Sequence, residues 1–445
     1  MKKVFLETYG CQMNVADSGL IVHVLEGAGF QLTEDVSEAT LVLLNTCAVR
    51  ERAEERVSSR LQQLAALKRV RPDLVLGVTG CMPKHLGEAM RTRMPHVDLL
   101  VGPDSYRRLP ELVEEAAQRP TVDLRLDRDE DYADLDPIAI EGLNAFVPIM
   151  RGCDRFCAFC VVPLTRGREK SLPLAEVLRQ IESAVARGAK QVTLLGQTVN
   201  SYHDGEHDFV DLLRATARVA GLSRVRFTSP HPSDFRDEVF ELMAETPVLC
   251  PQIHLPVQSG SDRVLGVMKR GYTRGDFSAL VGRIRAILPE AGLSTDVIVG
   301  FPTETEAEFE ETLSLMEETQ FDSAFLFRYS PRSGTYAYRH LPDDVPDAVK
   351  ARRLDRLIAR QEAISTDRYR RFIGRDVEVL VEGPSRRNPE HVVGKSHDGK
   401  TVIACGPRAA GALVTVRVAE ATSHTLRGEG VQDASVGSFC TPVGT

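Results

Sequence analysis

Short apolar runs and longer mixed runs alternate along the first 120 residues. Runs 3–7, 40–45, 74–79 and 97–101 are apolar and partly β-branched, and each has the length of a strand. Between them, 17–29 predicts a helix with Asp17 or Ser18 at its start and Gly29 at its stop, and 51–71 a long charged helix. This βα alternation predicts a parallel, Rossmann-like sheet. Residues 121–142 lose the period and turn acidic, which predicts a solvated linker. From Asn144 the rhythm resumes with six strands, at 146–150, 191–195, 224–228, 252–257, 293–299 and 324–329, separated by helices at 174–187, 209–220, 235–244, 274–288 and 304–318. Six units are too few for a closed eight-stranded barrel and predict a partial (β/α)6 barrel. Residues 346–372 predict one long basic helix. Short alternating strands at 377–381, 390–394, 401–404 and 412–418 follow, and predict a small OB-like β-barrel. The expected fold class is therefore α/β, with domains at 1–120, 143–345 and 375–428, a linker at 121–142, a basic linker helix at 346–374 and a tail at 429–445.

Composition narrows the class. Of 445 residues, 42% are apolar and 27% charged, as in a globular protein that is not embedded in a membrane. No apolar run is long enough to span a bilayer, and the N-terminus carries an acid at Glu7 with no long apolar core, so a cytoplasmic location is expected. Nine cysteines in such a chain point to metal ligands rather than disulfides. The net charge of −8 argues against nonspecific coating of nucleic acid. Its distribution is uneven, however. Residues 346–428 hold 16 Lys/Arg and 10 Asp/Glu, whereas the 345 before them hold 39 and 51. This points to nucleic acid at the C-terminal end, bound mainly through phosphates, with the helix that bears Lys350, Arg352, Arg353, Arg356, Arg360, Arg368, Arg370 and Arg371 as its most basic stretch; a solvated charged helix is the alternative.

The candidate chemistry lies in the cysteines. Arg151-Gly-Cys153-Asp-Arg-Phe-Cys157-Ala-Phe-Cys160 puts three thiols in one loop after a strand. A closed zinc site takes four ligands, and no His or Cys nearby supplies the fourth. A cubane iron–sulfur cluster on three thiolates keeps one iron open; thiolates suit either metal, so a zinc knuckle stays as the alternative. Cys11, Cys47 and Cys81 each follow a predicted strand, at the carboxyl edge where open α/β sheets build ligand sites. They form a second set of three, the alternative being three separate core cysteines. Cys250, Cys405 and Cys440 are isolated and read as structural. Loops Gly196-Gln-Thr-Val-Asn200, Gln258-Ser-Gly-Ser261 and Gly300-Phe-Pro-Thr303 share the edge of the three-cysteine loop, and their glycines and helix N-termini suit a small ligand with a carboxylate.

The loop at 153–160, with Phe159 before Cys160, resembles the signature of the radical S-adenosylmethionine (SAM) superfamily. In that superfamily the open iron chelates SAM and one electron cleaves it to a 5′-deoxyadenosyl radical. The order of Cys-bearing sheet, partial barrel and small β-barrel resembles the methylthiotransferase family, whose C-terminal module is a TRAM domain. Thr8-Tyr-Gly-Cys11-Gln-Met-Asn14, Asn45-Thr-Cys47-Ala-Val-Arg50 and Val381-Glu-Gly-Pro-Ser-Arg-Arg-Asn-Pro389 are similar to its branch acting on isopentenyladenosine in tRNA. Ser396-His-Asp-Gly-Lys400 departs from the run usual there. The resemblance implies two [4Fe–4S] clusters, on Cys11, Cys47 and Cys81 (auxiliary) and on Cys153, Cys157 and Cys160 (radical). It also implies SAM bound near Phe159, Gly196, Gln197, Asn200, Gln258, Ser259, Gly300 and Pro302. No catalytic side chain is expected beyond the cluster ligands, because the cofactors carry the hard step. The implied partners are a tRNA anticodon stem-loop and an electron donor such as flavodoxin or ferredoxin, with the chain a monomer. The implied reaction is methylthiolation of N6-isopentenyladenosine at C2; the other branches act on threonylcarbamoyladenosine tRNA or on an aspartate of a ribosomal protein.

Overall fold

In the computed structural model, residues 2–48, 51–136 and 139–430 are described, with the backbone alone for 51–53. Residues 431–445, and with them Cys440 and most of the expected tail, lie outside the described residues, as do Val49 and Arg50.

The first sheet contains β1 (Lys2–Tyr9), β2 (Phe30–Leu32), β3 (Leu41–Thr46), β4 (Val75–Gly80), β5 (Leu99–Val101) and β6 (Thr121–Asp123). All pair in parallel, in the order β2-β1-β3-β4-β5-β6. Helices α1 (Gln12–Gly27), α2 (Glu51–Val70), α3 (Cys81–Leu86), α4 (Glu88–Arg93) and α5 (Leu109–Ala116) complete the layer. Strands β2 and β6 are too short for periodicity to reveal, and β6 takes the first residues of the expected linker. That segment is also less solvated than its charge predicts, for Tyr132 is buried in the core of this domain. Helix α1 begins five residues before the expected start. Cys11 is its N-cap, and Asn14 Oδ1 accepts from the Cys11 N–H (3.3 Å). Cysteine is outside the usual capping set, so the pattern misplaced the start. Asp17 therefore lies inside the helix and is buried.

Short strands β7 (Ile140–Glu141), β9 (Met150–Arg151) and β10 (Lys170–Ser171) flank the second unit. Its six parallel strands are β8 (Asn144–Pro148), β11 (Gln191–Leu195), β12 (Arg224–Phe227), β13 (Gln252–His254), β14 (Gly292–Val299) and β15 (Ser323–Arg328). They follow one another in chain order. Among the described residues no strand ladder joins the β8-β11-β12 half to the β13-β14-β15 half; an isolated bridge from Val225 to Leu249, just before β13, links them. The result is an open partial barrel. It is interspersed or covered with α6 (Val162–Arg166), α7 (Leu174–Ala186), α8 (Phe209–Thr216), α9 (Asp237–Glu245), α10 (Asp262–Val267), α11 (Arg274–Ile287) and α12 (Glu306–Thr319), around a core that includes Leu194, Ile253, Leu293 and Val297. Helix α13 (Tyr336–His340) follows β15, and α14 (Asp347–Arg370) packs along β15 and α12.

The C-terminal unit is a closed barrel of β16 (Asp376–Pro384), β17 (His391–Ser396), β18 (Thr401–Cys405), β19 (Leu413–Ala421) and β20 (Thr425–Gly430). The pattern missed β20, which closes the ring and carries the described chain past 428. The turn that departs from the family run is a docking point. His397 Nε2 meets the Pro247 carbonyl (2.8 Å), Arg226 Nη2 donates to the Ser396 carbonyl (2.9 Å), and a Cβ on Gly399 (φ +90°) would collide with Gln252. Arg224, Gln252 and Gly292 all stand at the amino ends of barrel strands. The small barrel thus sits under the amino edge, opposite the edge that carries the cysteine loop.

The basic helix differs from its expected role. Lys350 is buried on Asp343 (2.5 Å), Arg353 on Glu304 (2.8 Å), Arg356 reaches Glu310 (2.7 Å), Arg352 reaches Glu306 (3.6 Å), Arg360 pairs with Glu317, and Arg368 with Asp322 (3.2 Å). Most of its charge is therefore spent on the acidic flank of the partial barrel rather than offered to phosphates. Among the described residues no helix is long and apolar enough to cross a membrane.

Candidate active site

Gly152 (φ +79°) turns the chain out of β9; any Cβ there would strike the Arg168 carbonyl. The loop beyond it is held from several sides. The Ala158 N–H donates to the Met268 carbonyl (2.9 Å), and its own carbonyl accepts from the Ala337 N–H (2.7 Å). Phe159 stands edge-on to Phe301, with centroids 6.3 Å apart. The sulfurs are met by donors: Thr198 Oγ1 lies 3.3 Å from Cys153 Sγ, Arg270 Nη1 donates to Cys157 Sγ (3.2 Å), and the Val162 N–H points at Cys160 Sγ (3.5 Å). Burial pushes the Cys160 thiol up to about 12, with the Cys157 charge adding to the shift, and burial also raises Cys153 against the pull of Thr198. Thiols in this state give up their protons when a metal takes the charge.

The second set is assembled from neighbouring strands. Cys11 follows β1, Cys47 follows β3, and Cys81 opens α3 after β4. Gly10 has no room for a side chain: its Cβ would fall 2.1 Å from Asn14 Oδ1 and 3.0 Å from Cys47 Cβ. A hydrogen bond with Cys47 lowers the Cys11 thiol to about 6; burial opposes this, and Arg166, Asn14 and Met13 assist. Burial raises Cys81, while the Arg166 charge works against it. Among the described residues no three His, Cys, Asp or Glu close up as the shell of a single metal ion. A cubane holds its ligands farther apart than one ion does, so the fit rests on the donors: three sulfurs in each set, Cys11 exposed and the other five buried or half-buried, with N–H, O–H or guanidinium groups beside them.

One carboxylate ties the two sets together. Asp17, 1% exposed, accepts from Arg151 Nη2 (2.8 Å) and from Arg166 Nη2 (2.6 Å), and Tyr106 Oη donates to it (3.4 Å). Arg151 lies two residues before Cys153, Arg166 six after Cys160, and Asp17 on the helix that Cys11 caps. The Arg151 guanidinium also lies 4.8 Å from the centre of the Tyr132 ring. Helix α3 packs on α6, and Val161, next to Cys160, shares a small buried cluster with Cys81.

The residues expected to meet SAM have mixed surroundings. Among the described residues Gln197 Oε1, buried beside Thr198, has no hydrogen-bond partner. Asn200 spends its amide on the His231 backbone (2.9 and 2.8 Å) and so braces one loop on the next. Gly196 packs on Met150, and Gly300 (φ +68°) on Lys350. Ser259 is buried near Thr312 (3.4 Å), and Gln258 adopts φ +75° while bonding across to Asp296 and Ile298. Pro302 lies buried in the loop after β14. Sequence reasoning singled out the loop of Thr198 but not its contact with Cys153, and it missed Arg270, His231 and the Asp17–Arg151–Arg166 group. The only local signal was Arg151 standing next to the Gly-Cys turn.

Comparison with known proteins agrees with this layout. Residues 3–102 match the uncharacterized protein family UPF0004, 147–316 the radical SAM superfamily and 370–431 the TRAM domain. By fold, the chain resembles the radical S-adenosylmethionine methyltransferase TsrM from Kitasatospora setae, with a TM-score of 0.55, 16% identity and 73% of each chain covered. These matches define the class as a radical SAM enzyme with an N-terminal α/β domain and a TRAM barrel. A protein of Porphyromonas gingivalis named tRNA-2-methylthio-N(6)-dimethylallyladenosine synthase is 47% identical, over 97% of this chain and 95% of its own. Relatives of the same name from Bacteroides thetaiotaomicron (46%; 97% and 96%) and Chlorobaculum tepidum (45%; 96% and 97%) are similar over comparable lengths. The chain belongs to the family of these synthases.

Proposed function

We propose that this chain adds a methylthio group to C2 of N6-isopentenyladenosine at position 37, beside the anticodon of tRNA, in the cytoplasm. The observation that carries the reading is the juxtaposition of two three-cysteine sets through Asp17, with Arg151 and Arg166 bracketing one set and Cys11 at the head of the helix that bears Asp17. Cys153, Cys157 and Cys160 would hold a [4Fe–4S] cluster that takes SAM, and Cys11, Cys47 and Cys81 a second cluster. Together these groups would supply a radical able to take the C2 hydrogen, which is too weakly acidic for a base, and the sulfur that replaces it. The chain's own residues orient and shield. Arg270 and Thr198 meet the charge on Cys157 and Cys153, and Phe159 packs the loop onto Phe301. Gln197 and His231 each keep a buried polar atom without a partner among the described residues, which suits recognition of SAM. A flavodoxin or ferredoxin would deliver the electron to a monomer.

The test is mass spectrometry of tRNA nucleosides after anaerobic incubation of reconstituted protein with SAM, sulfide, reductant and isopentenylated tRNA. The expected product is 2-methylthio-N6-isopentenyladenosine. Methylthiolation of threonylcarbamoyladenosine tRNA or of a ribosomal protein instead, or no methylthio product, overturns the assignment.

A further inference from the structure

The TRAM barrel lies under the amino edge of the partial barrel, while the cysteines lie at the carboxyl edge. Barrel strands of three to eight residues, about 10–25 Å, separate the two edges. RNA held only by the small barrel leaves its reacting base without a partner at the edge where the chemistry occurs. That edge has its own exposed apolar rim.

Four large apolar side chains stay exposed there: Phe156 (47%), Leu164 (40%), Tyr336 (42%) and Tyr338 (54%). They stand on segments that touch one another and the cysteine loop. Phe156 directly precedes Cys157, and its φ of +49° is unusual for a side chain of its size. Helix α13 is pinned under the loop by Ala337, which is buried and bonded to Ala158, so its flanking tyrosines face outward. Leu164 of α6 lies against Gly334. The same segment reaches the N-terminal domain, where Ser333 O meets His85 Nε2 (2.9 Å) on the helix that Cys81 opens. The rim therefore runs along the seam between both cysteine sets.

Cations accompany the rings. Lys269 Nζ stands 3.2 Å from the Tyr336 ring centre, and Tyr336 stacks on His340 at 4.3 Å and 22°. The Arg168 guanidinium lies 5.0 Å from the centre of the Phe156 ring. Among the described residues neither Lys269 nor Arg339 pairs with a carboxylate. Aromatic faces with cations beside them are what unpaired nucleotides require, since each base offers a stacking face and each linkage a phosphate.

We propose that Phe156 and Tyr338, backed by the Tyr336–His340 stack and Lys269, form a stacking platform for unpaired anticodon-loop nucleotides flanking the base that enters the site. The inference rests on tRNA being the substrate and deepens that reading: base-flipping enzymes must replace the stacking that the extruded base and its neighbours lose.

Fluorescence anisotropy with a labelled anticodon stem-loop tests it, using the reconstituted full chain. Tyr338→Ala and Phe156→Ala each weaken binding about 5- to 150-fold, the range of one lost base–aromatic stack, while Tyr338→Phe stays within about twofold. Lys269→Ala flattens the dependence of log affinity on log salt by about one, and the aromatic variants leave that slope unchanged. Iron content and thermal midpoint show that each variant is folded, and Tyr338, on an exposed helix face, is the variant least able to disturb the chain. Unchanged affinity in folded Tyr338→Ala and Phe156→Ala proteins overturns the platform. So does unchanged affinity with slower reduction by flavodoxin, which would make the rim a docking face for the electron donor. Failure of the wild type to bind the stem-loop removes the tRNA reading itself, and the platform with it.

Discussion

The two cysteine sets solve one problem in different ways. Cys153, Cys157 and Cys160 sit within eight residues, and their loop is shaped by a glycine turn and a few backbone bonds. Cys11, Cys47 and Cys81 come from three neighbouring strand ends, and nothing local sets their separation. The first set is a property of a loop, the second of a sheet. Their electrostatics differ as well. The loop set is dominated by burial, which raises Cys160 and Cys153. The sheet set is split: burial raises Cys81, whereas Cys47 holds Cys11 low, with Arg166 lending positive charge from the other domain. The loop set should therefore tolerate damage to the sheet, whereas the sheet set depends on the contact between domains.

The strongest test of that contrast removes each set in turn. Replacing Cys153, Cys157 and Cys160 with Ala abolishes SAM cleavage and halves the iron, while the visible absorption of the other cluster remains. Unchanged iron, or zinc in its place, refutes the assignment. Cys47→Ala gives the converse. 5′-Deoxyadenosine still forms and the methylthio product does not, provided circular dichroism shows a folded chain. Wild-type levels of product would end the donor role of the sheet set.

Asp17→Ala breaks the link between the sets. Two buried guanidiniums lose their shared carboxylate, a change that typically costs about 3–5 kcal/mol. Denaturant unfolding should show that loss. Iron titration should show the sheet set emptying before the loop set. Equal loss from both sets would mean that the sheet set is no more dependent on the contact than the loop set.

The smallest effect concerns His231, which braces the loops beside the loop set. Burial, with Arg270 and Arg155 nearby, lowers it to about 2, and its Nδ1 accepts from the Ser233 N–H (3.3 Å), so the folded state keeps the ring neutral. The unfolded chain takes up a proton near pH 6.5, so this stability is complete above that pH and is lost as pH falls below it. Between pH 7 and pH 5 the wild type should lose about 2 kcal/mol more than His231→Gln. Parallel curves for the two proteins would show that the imidazole is not held neutral.

Much of the fold was legible because strand period and cysteine spacing are local signals. The six barrel strands, the C-x₃-C-x₂-C loop and the cysteines after three strands all come from neighbours in the chain. What was misread shares one cause. Asp17 looked like a helix start because Asp favours that position, but its partners are 134 and 149 residues away. The basic helix looked like an RNA surface because charge counts do not reveal which acids will face it. Strand β20 follows short turns and lacks the apolar alternation of a half-buried strand.

The sequence by itself determined the order of the domains, the six candidate ligands and the family. Repeating patterns and motif words are written in consecutive residues. Only the tertiary structure decided that Asp17 clamps the two sets, that the Ser396–Lys400 turn docks a barrel under the amino edge, and that exposed rings gather at the carboxyl edge. Those features arise from burial and charge pairing between segments far apart in the chain, and no local pattern encodes which buried charge will meet which.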